Sequence, residues 1–160
     1  MPQSSRISFS RAGVRAAILG APWVRREEEE AKEASRAALR AVGLAALEDR
    51  RANRLSFGQQ RLLELARALA VQPTLLLVDE PAAGLSVPMV ERLTTILQTL
   101  RAERGITIML IEHVIRLVMG ISDRITVLDK GEKLAEGPPD VVRTDPRVIE
   151  AYLGTAARHA

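Results

Sequence analysis

One stretch decides the fold, Leu75-Leu76-Leu77-Val78-Asp79-Glu80-Pro81. Its four large apolar residues lie between two prolines, which predicts a short strand buried on both faces, as in a parallel sheet. Ligands bind at the carboxyl ends of strands in open α/β sheets, so Asp79 and Glu80 are expected at the edge of a site. There one carboxylate can hold Mg²⁺ on a phosphate while its neighbour orients or deprotonates an attacking water. A strand that simply ends in acids is the alternative.

A capped helix is predicted upstream, after Leu55-Ser56-Phe57-Gly58-Gln59-Gln60. Ser56 is a favourable N-cap, Gly58 lets the backbone approach a ligand closely, and the helix over residues 59–70 offers its N-terminal amides to an anion. The alternative is a plain capped helix. In either case four apolar side chains are expected to face the core: Leu62, Leu65, Ala66 and Leu69.

The segment after Glu80 reads as a turn, Pro81-Ala82-Ala83-Gly84-Leu85-Ser86, which leads into a helix. Ser86 can cap this helix, Pro88 fits its first turn, and Gly105 ends it. A second buried strand is predicted over residues 106–111 because it is apolar and rich in β-branched residues. It ends at Glu112 and His113.

These motifs, in this order, resemble the C-terminal half of an ATP-binding-cassette (ABC) transporter ATPase. They correspond to the signature motif at residues 55–60, Walker B at 75–80, the D-loop at 83–86 and the switch histidine at 113, and the resemblance covers roughly residues 26–154. The aromatic Phe57 replaces a commoner glycine and is similar to one of the two ATPase subunits of branched-chain amino-acid importers. Residues 145–154 are similar to the close of the same proteins.

The resemblance implies roles for these residues. Asp79 serves Mg²⁺, Glu80 is the catalytic base, and His113 contacts the γ-phosphate and senses hydrolysis. Ser86 stands where the family more often has Asp, which puts the usual cross-subunit hydrogen bond of the D-loop in question. The residues implied in binding ATP, largely ATP held by the opposite subunit, are Ser56, Phe57, Gly58, Gln59, Gly84 and Ser86.

The resemblance also implies the cofactors ATP and Mg²⁺ and two kinds of partner. One is a second ATP-binding subunit, in a homodimer or heterodimer, and the other is the transmembrane permease subunits. The expected location is cytoplasmic, peripheral on the inner face of the cell membrane. The expected function is ATP hydrolysis coupled to import, with branched-chain amino acids as the cargo.

The expected fold class is α/β, a truncated P-loop NTPase-like core with a parallel sheet flanked by helices and a preceding helical subdomain. We assign residues 1–25 to an undefined N-terminal segment, 26–70 to the helical signature subdomain, 71–154 to the C-terminal part of the ATPase core and 155–160 to a tail. A G-x-x-x-x-G-K-[ST] loop does not occur in the 160 residues. We therefore expect a truncated cassette.

Other elements are predicted from local patterns. A helix over residues 26–42 is expected to carry Glu27 to Glu30 in its first turn, a Glu28–Lys32 pair and a glycine stop at Gly43. Further along, the patterns predict a helix over 114–119, a hairpin of strands 124–128 and 133–136 around a turn at 129–132, a short helix opening at 137–140 and a last helix over 145–153.

Composition limits the function classes. The net charge of +3 and pI near 9.9 are only mildly basic, and aromatic residues make up 2% of the chain, too few for the stacking platforms of single-stranded nucleic-acid binders. We expect no nucleic-acid partner. Cysteine does not occur, which excludes disulfides and thiolate metal sites. No apolar run approaches the roughly 20 residues of a membrane span. The Ser- and Arg-rich residues 1–24 match either a transit peptide or a remnant.

Three hypotheses remain at this point. In the first, the chain is the C-terminal part of an ABC importer ATPase, which would complete the ATP site of a full-length partner in trans. In the second, it is a catalytically inactive remnant or regulatory module that binds a transporter component. The third is a lobe of a DNA-repair or chromosome-maintenance ATPase. Those lobes adjoin long coiled coils, and no sustained heptad pattern occurs here.

Overall fold

The computed structural model describes residues 22–153, with side chains described for residues 25–151. The helices are α1 (Pro22–Ala41), α2 (Phe57–Leu69), α3 (Val87–Arg104), α4 (Ile115–Ile121), α5 (Pro139–Val142) and α6 (Pro146–Leu153). The strands are β1 (Leu75–Asp79), β2 (Thr107–Ile111), β3 (Ile125–Asp129) and β4 (Glu132–Gly137), and two single-turn 3₁₀ helices occupy Ala45–Leu47 and Ala52–Arg54. Our expectations for residues 1–21 and 155–160 lie outside the described part.

The described residues form two units that divide between Ile111 and Glu112. In the first unit β1 and β2 pair in parallel, with Leu75 opposite Thr107 and Asp79 opposite Ile111. The intervening α3 makes the connection that parallel strands require. The α/β class with a parallel sheet is thereby confirmed. The boundary that we predicted between residues 70 and 71 lies inside this unit and stays a prediction.

The prediction that β1 is buried on both faces is wrong for the described chain, and so is the prediction that β2 is a buried strand. Leu76 is buried, but Leu75, Leu77, Met109 and Ile111 are exposed. Among residues 22–153 the parallel sheet contains only these two strands. One face packs on the apolar core, and the described residues do not cover the other. Buried apolar side chains of the first unit are Ala38, Val42, Leu44, Leu55, Leu62, Leu65, Ala66, Leu69, Leu76, Ala82, Leu93, Ile96, Leu97, Leu100 and Ile106.

Helix α1 begins at Pro22, four residues before the predicted start at Arg26. Proline is favoured at the first helical position because its missing N–H has no acceptor there. The acidic run therefore lies beyond the first turn, and our helix-dipole argument for it is wrong. Lys32 pairs with Glu29 at 2.9 Å instead of with Glu28. The exposed ion pairs of this run, including Arg26–Glu30 at 2.9 Å, are those of a solvated helix face.

The end of α1 is a Schellman motif. Gly43 has a φ of +69°, its N–H donates to the Arg40 carbonyl, and the Leu44 N–H donates to the Leu39 carbonyl. The predicted glycine stop is confirmed. From α3, the Arg92 guanidinium donates to the carbonyl oxygens of Val42 and Gly43 at 3.3 and 2.8 Å. A side chain from another helix thus satisfies the two carbonyls that follow α1.

The second unit is a β3–β4 hairpin with short helices. Lys130 and Gly131 have φ values of +50° and +85°, as a two-residue turn with two positive φ angles requires, at the turn that the sequence predicts. Its core consists of Ile125, Val127, Ala135 and Val142, with Val118, Met119, Leu134 and Val148 packed against it. In the described part of the chain, no helix is both long and apolar enough to span a bilayer.

Candidate functional site

The carboxyl end of β1 carries two exposed acids, as predicted. Asp79 is the last residue of the strand, and the backbone N–H of Glu80 donates to the Ile111 carbonyl oxygen at 2.9 Å. The Glu80 carbonyl in turn accepts from the Ala83 N–H at 3.1 Å. Glu80 has a φ of +42°, a left-handed conformation that costs an L-residue about 1–2 kcal/mol. Two backbone bonds therefore hold this acid in a strained geometry.

The N-terminus of α2 is closed by a capping box. The Gln59 N–H donates to Ser56 Oγ at 3.4 Å, and the Ser56 N–H donates to Gln59 Oε1 at 2.9 Å. First-turn amides of a helix have no acceptor within the helix, and this box satisfies that of Gln59 alone. The amides of Phe57 and Gly58 remain suited to an anion, and the helix dipole has the matching sign.

The signature segment contacts the D-loop through Phe57. A Cβ built on Gly84 would lie 3.1 Å from Phe57 Cε1 and 3.4 Å from Cζ, so the ring covers the place where a side chain would stand. Gly84 has a φ of +73°. A Cβ on Gly58 would likewise lie 2.9 Å from Cε of Met89 in α3. The start of α2 therefore lies against the turn that precedes α3 and against α3 itself.

A cavity of about 170 Å³ lies between α2 and the end of β1. Its charged lining residues are Arg61, Glu64 and Asp79. The remaining lining is mainly apolar: Leu62, Leu65, Ala68, Leu76, Leu77, Val78, Pro81, Leu85 and Leu93. The signature helix and the Walker B strand thus share one cavity, and the first carboxylate of the pair borders it.

The D-loop differs from the prediction at its last residue. Ser86 occupies the N-cap position of α3, but its side chain makes no capping hydrogen bond. The Ser86 carbonyl instead accepts from the Val90 N–H at 3.0 Å. Pro88 lies in the first turn, as predicted, and the turn before it is closed by a bond of 3.0 Å from the Leu85 N–H to the Ala82 carbonyl.

His113 belongs to the second unit, just before α4. Its side chain is exposed, and its Nδ1 lies 3.6 Å from Glu112 Oε2. The Glu112 side chain is 0% exposed, and the same Oε2 accepts from the backbone N–H groups of His113 and Val114 at 2.8 and 3.0 Å. A buried carboxylate therefore fixes the backbone that carries the predicted switch histidine.

Comparison with known proteins places these motifs in a family. A family model described as "ABC transporter" matches residues 4–83, and one described as "Branched-chain amino acid ATP-binding cassette transporter" matches residues 132–158. The chain belongs to the ABC transporter family. The first match begins at residue 4, so the resemblance reaches further than our estimate of residues 26–154 and into the segment that we left undefined.

Relatives of this ABC chain include two curated ATP-binding proteins. The high-affinity branched-chain amino acid transport ATP-binding protein LivG of Escherichia coli is 43% identical over 146 residues, 91% of this chain and 57% of LivG. Its counterpart BraF of Pseudomonas aeruginosa is 44% identical over 141 residues, 88% of this chain and 55% of BraF. The chain thus spans little more than half the length of these relatives.

Solved structures confirm the ABC fold. The ADP conformation of MJ1267, an ATP-binding cassette of an ABC transporter, matches with a TM-score of 0.71 and 33% identity over 89% of this chain and 57% of that one. CbiO1 from Clostridium perfringens, part of the ABC transporter complex cbiONQ, matches with a TM-score of 0.69 and 30% identity over 82% and 54% of the two chains. The P-loop NTPase-like fold class is therefore confirmed.

The donor set at the end of β1 fits the metal that the ABC family implies. Mg²⁺ prefers oxygen ligands, keeps several waters, and is held by one or two carboxylates together with substrate phosphates. Asp79 supplies such an oxygen at the strand end. In the described residues no three His, Cys, Asp or Glu side chains converge into a metal cage.

Four residues near the ABC motifs escaped the sequence analysis. Arg61 stacks on Phe57, with its guanidinium carbon 5.5 Å from the ring centroid; the spacing of four residues in a helix could have revealed this pair. Met89 on Gly58 and Arg92 on Gly43 are long-range contacts without a local signal. Glu112 reads in the sequence only as a polar strand end.

Proposed function

We propose that this chain is an ATP-binding subunit of an ABC importer, or the C-terminal part of one, and that its cargo is a branched-chain amino acid. One observation carries the proposal. The capped start of α2, the D-loop turn and the acids at the end of β1 belong to a single unit, and Phe57 joins the first two. The names of the relatives LivG and BraF support the choice of cargo.

The acids at the end of β1 would divide the chemistry between them. Asp79 would hold Mg²⁺, which when bound neutralises charge on the phosphates. Glu80 would orient the attacking water and accept its proton as the water oxygen attacks the γ-phosphorus in line with the departing ADP oxygen. The bond from Glu80 N–H to the Ile111 carbonyl fixes the position from which this carboxylate acts.

The signature residues would serve a nucleotide held by a second ATP-binding subunit. The hydroxyl of Ser56 and the free first-turn amides of Phe57 and Gly58 suit γ-phosphate oxygens, and the side chain of Gln59 keeps the Ser56 backbone in place. Gly84 and Ser86 would border the same nucleotide. His113 would contact the γ-phosphate in its own subunit.

In this proposal the subunit works with transmembrane permease subunits at the inner face of the cell membrane. The domain assignment of residues 26–70 as a helical subdomain and 71–154 as the ATPase core belongs to the same proposal. The similarity of residues 132–158 to the branched-chain amino acid family model supports a C-terminal region of that transporter class.

A mixing experiment tests the composite site. The purified chain is titrated into a full-length ATP-binding subunit that carries its own G-x-x-x-x-G-K-[ST] loop and a disabled signature serine. We expect phosphate release to rise with added chain. Ser56→Ala should abolish the rise, because the hydroxyl contacts the partner's nucleotide. Ser35→Ala is the matched control, since the Ser35 hydroxyl donates to the Ala31 carbonyl within its own helix.

Two outcomes contradict the proposed function. Phosphate release that does not change at any ratio of the chains contradicts a composite site. Co-elution of the two chains without a change in rate assigns this chain to a binding module that does not turn over nucleotide.

A further inference from the structure

We propose that Phe57 is a positioning residue that couples the start of the signature helix to the D-loop by holding its ring on Gly84. The inference deepens the proposed function and rests on it, because both segments border the nucleotide there. Phe57 itself need not touch the nucleotide. Its effect passes through the backbone turn that contains Gly84.

The contact is close, and it depends on the missing side chain of Gly84. A Cβ at this position would come within 3.1 Å of Phe57 Cε1, tighter than ordinary van der Waals contact. The φ of +73° adds a second reason for glycine, since L-residues rarely adopt it. The ring can therefore occupy this position only while residue 84 carries no side chain.

The ring is held from its own helix as well. It is 53% exposed, which is high for a phenylalanine, and the Arg61 guanidinium stacks on it at 5.5 Å from the centroid. Arg61 also bonds Glu64 at 3.1 Å, so the cation is itself oriented. The ring therefore contacts both a cation of its own helix and the turn at Gly84, and because it is exposed it contributes little to the core.

A second contact joins the same two segments, between Gly58 and the Met89 methyl group. Methionine is flexible and can give way, so this contact transmits displacement poorly. The ring of Phe57 is stiff and has only two side-chain torsions. Most of the coupling between the two segments is therefore expected to pass through Phe57.

Hydrogen exchange on the chain alone tests whether Phe57 positions the D-loop turn. The amides of Ala83 and Leu85 close the D-loop turn through bonds to the carbonyls of Glu80 and Ala82. Phe57→Ala should speed their exchange about tenfold, within the range of coupling between residues in contact. Phe57→Tyr should keep wild-type rates because the ring remains. Val71→Ala removes an exposed side chain just beyond α2 and should change neither rate.

A double-mutant cycle separates the contact from the backbone strain. Gly84→Ala adds both strain and a clash with the ring, whereas Gly105→Ala adds strain alone, since Gly105 has a φ of +61° and an open Cβ position. The folding equilibrium constant should fall several-fold further for Gly84→Ala than for Gly105→Ala. In the Phe57→Ala background the two losses should become equal. Equal losses in both backgrounds, or unchanged exchange in Phe57→Ala, would overturn the proposal.

The mixing experiment distinguishes this proposal from the proposed function. If the double-mutant cycle shows coupling between Phe57 and Gly84 but the wild-type chain does not raise phosphate release by the partner, the positioning role of Phe57 is supported and the proposed function is contradicted. If the wild-type chain raises phosphate release but the cycle shows no coupling, the proposed function is supported and the positioning role of Phe57 is contradicted. When both hold, Phe57→Ala should lower the kcat of the mixture with little change in KM, and Phe57→Tyr should restore it.

Discussion

The backbone N–H of Glu80, one residue past the end of β1, donates a hydrogen bond of 2.9 Å to the carbonyl oxygen of Ile111, the last residue of β2. The bond extends the parallel ladder to a residue whose φ is +42°. Tertiary structure therefore imposes on this glutamate a conformation that its side chain disfavours. Such strain is most common at functional sites, which accords with the proposed role of Glu80 as catalytic base.

The strain at Glu80 predicts an unusual stability change. Glu80→Gly should raise the free energy of unfolding by up to about 1 kcal/mol, because relief of the left-handed strain exceeds the entropy cost of glycine. Glu80→Gln should change it by less than about 0.5 kcal/mol. Urea titration measures both. Lys130→Gly is the matched control, since Lys130 has a φ of +50° in an exposed turn. If Lys130→Gly raised the free energy of unfolding and Glu80→Gly lowered it, the conclusion that Glu80 is strained would be contradicted.

A second prediction concerns the end of α1. Gly43→Ala should cost about 1–2 kcal/mol, because it forces a φ of +69° on alanine and displaces Arg92 Nη2, which lies 2.6 Å from the new Cβ. Arg92→Ala should cost about 1 kcal/mol through the lost bonds to the carbonyls of Val42 and Gly43. Urea titration followed by circular dichroism checks both changes.

The control for Gly43 is Gly131→Ala, with a φ of +85° and no atom near the added Cβ. Gly131→Ala should lower the free energy of unfolding only by the cost of the left-handed backbone conformation. In the Arg92→Ala background, the loss of unfolding free energy caused by Gly43→Ala should fall to that of Gly131→Ala. Full additivity of the two changes would show that Arg92 and Gly43 are not coupled.

Local signals explain what the sequence could predict. Ser56 caps the helix that begins at the next residue, and the β3–β4 turn is predicted from residues 129–132, so both signals lie in neighbouring residues. The four inward residues of α2 follow helical spacing and are all buried, as predicted. The resemblance of the ordered motifs then supplied the family, which the comparisons confirm.

Long-range contacts explain what the sequence could not predict. The apolar run in β1 indicates that both faces of the strand are apolar, but it does not say what covers them, so the exposure of Leu75 and Leu77 was missed. Nothing in the local sequence marks Glu80 as left-handed, and its backbone bond to Ile111 joins residues that are far apart in the chain. The ring of Phe57 on Gly84 joins two motifs that the sequence treats separately.

A third prediction concerns the exposed face of the parallel sheet. Leu77 and Met109 are partners in the register and are 67% and 61% exposed, so they form an adjacent apolar pair. Exposed apolar patches beside unpaired strand edges favour association. We expect the apparent mass to rise with concentration in sizing chromatography with light scattering.

Replacing both residues with lysine, Leu77→Lys with Met109→Lys, should suppress this association. The matched control is Val71→Lys with Val141→Lys, two exposed apolar residues outside the sheet, which should leave association unchanged. A wild-type monomer throughout the dilution series would refute the prediction.

A fourth prediction concerns pH at the start of α6. Asp145 Oδ2 pairs with Arg147 Nη2 at 2.7 Å and Oδ1 accepts the Arg147 backbone N–H at 2.9 Å; this side-chain hydrogen bond holds the pKa of Asp145 below its usual range. Because the folded pKa is the lower one, the stabilisation is present above the unfolded pKa and is lost as pH falls through the folded pKa. The Arg147 amide signal in an NMR titration should report that transition. Arg147→Ala should move it to higher pH, and an unmoved transition would contradict the pairing.

The last prediction concerns the buried carboxylate beside the proposed switch histidine. Glu112 Oε2 accepts two consecutive backbone N–H groups, those of His113 and Val114, at 2.8 and 3.0 Å. Glu112→Ala removes this acceptor and should cost about 1–3 kcal/mol. Glu112→Gln keeps a side-chain oxygen in place and should cost less. Amide chemical shifts of His113 and Val114 should move strongly in the alanine variant and weakly in the glutamine variant.

The same pair of variants tests what Glu112 does for the backbone of His113. If the carboxylate holds the amides of His113 and Val114, their hydrogen exchange should speed in Glu112→Ala and stay near the wild-type rate in Glu112→Gln. His113→Ala is the matched control, since it keeps the acceptor and should leave the exchange of the Val114 amide unchanged. Equal exchange of that amide in Glu112→Ala and in the wild-type chain would contradict the role of Glu112 as its acceptor.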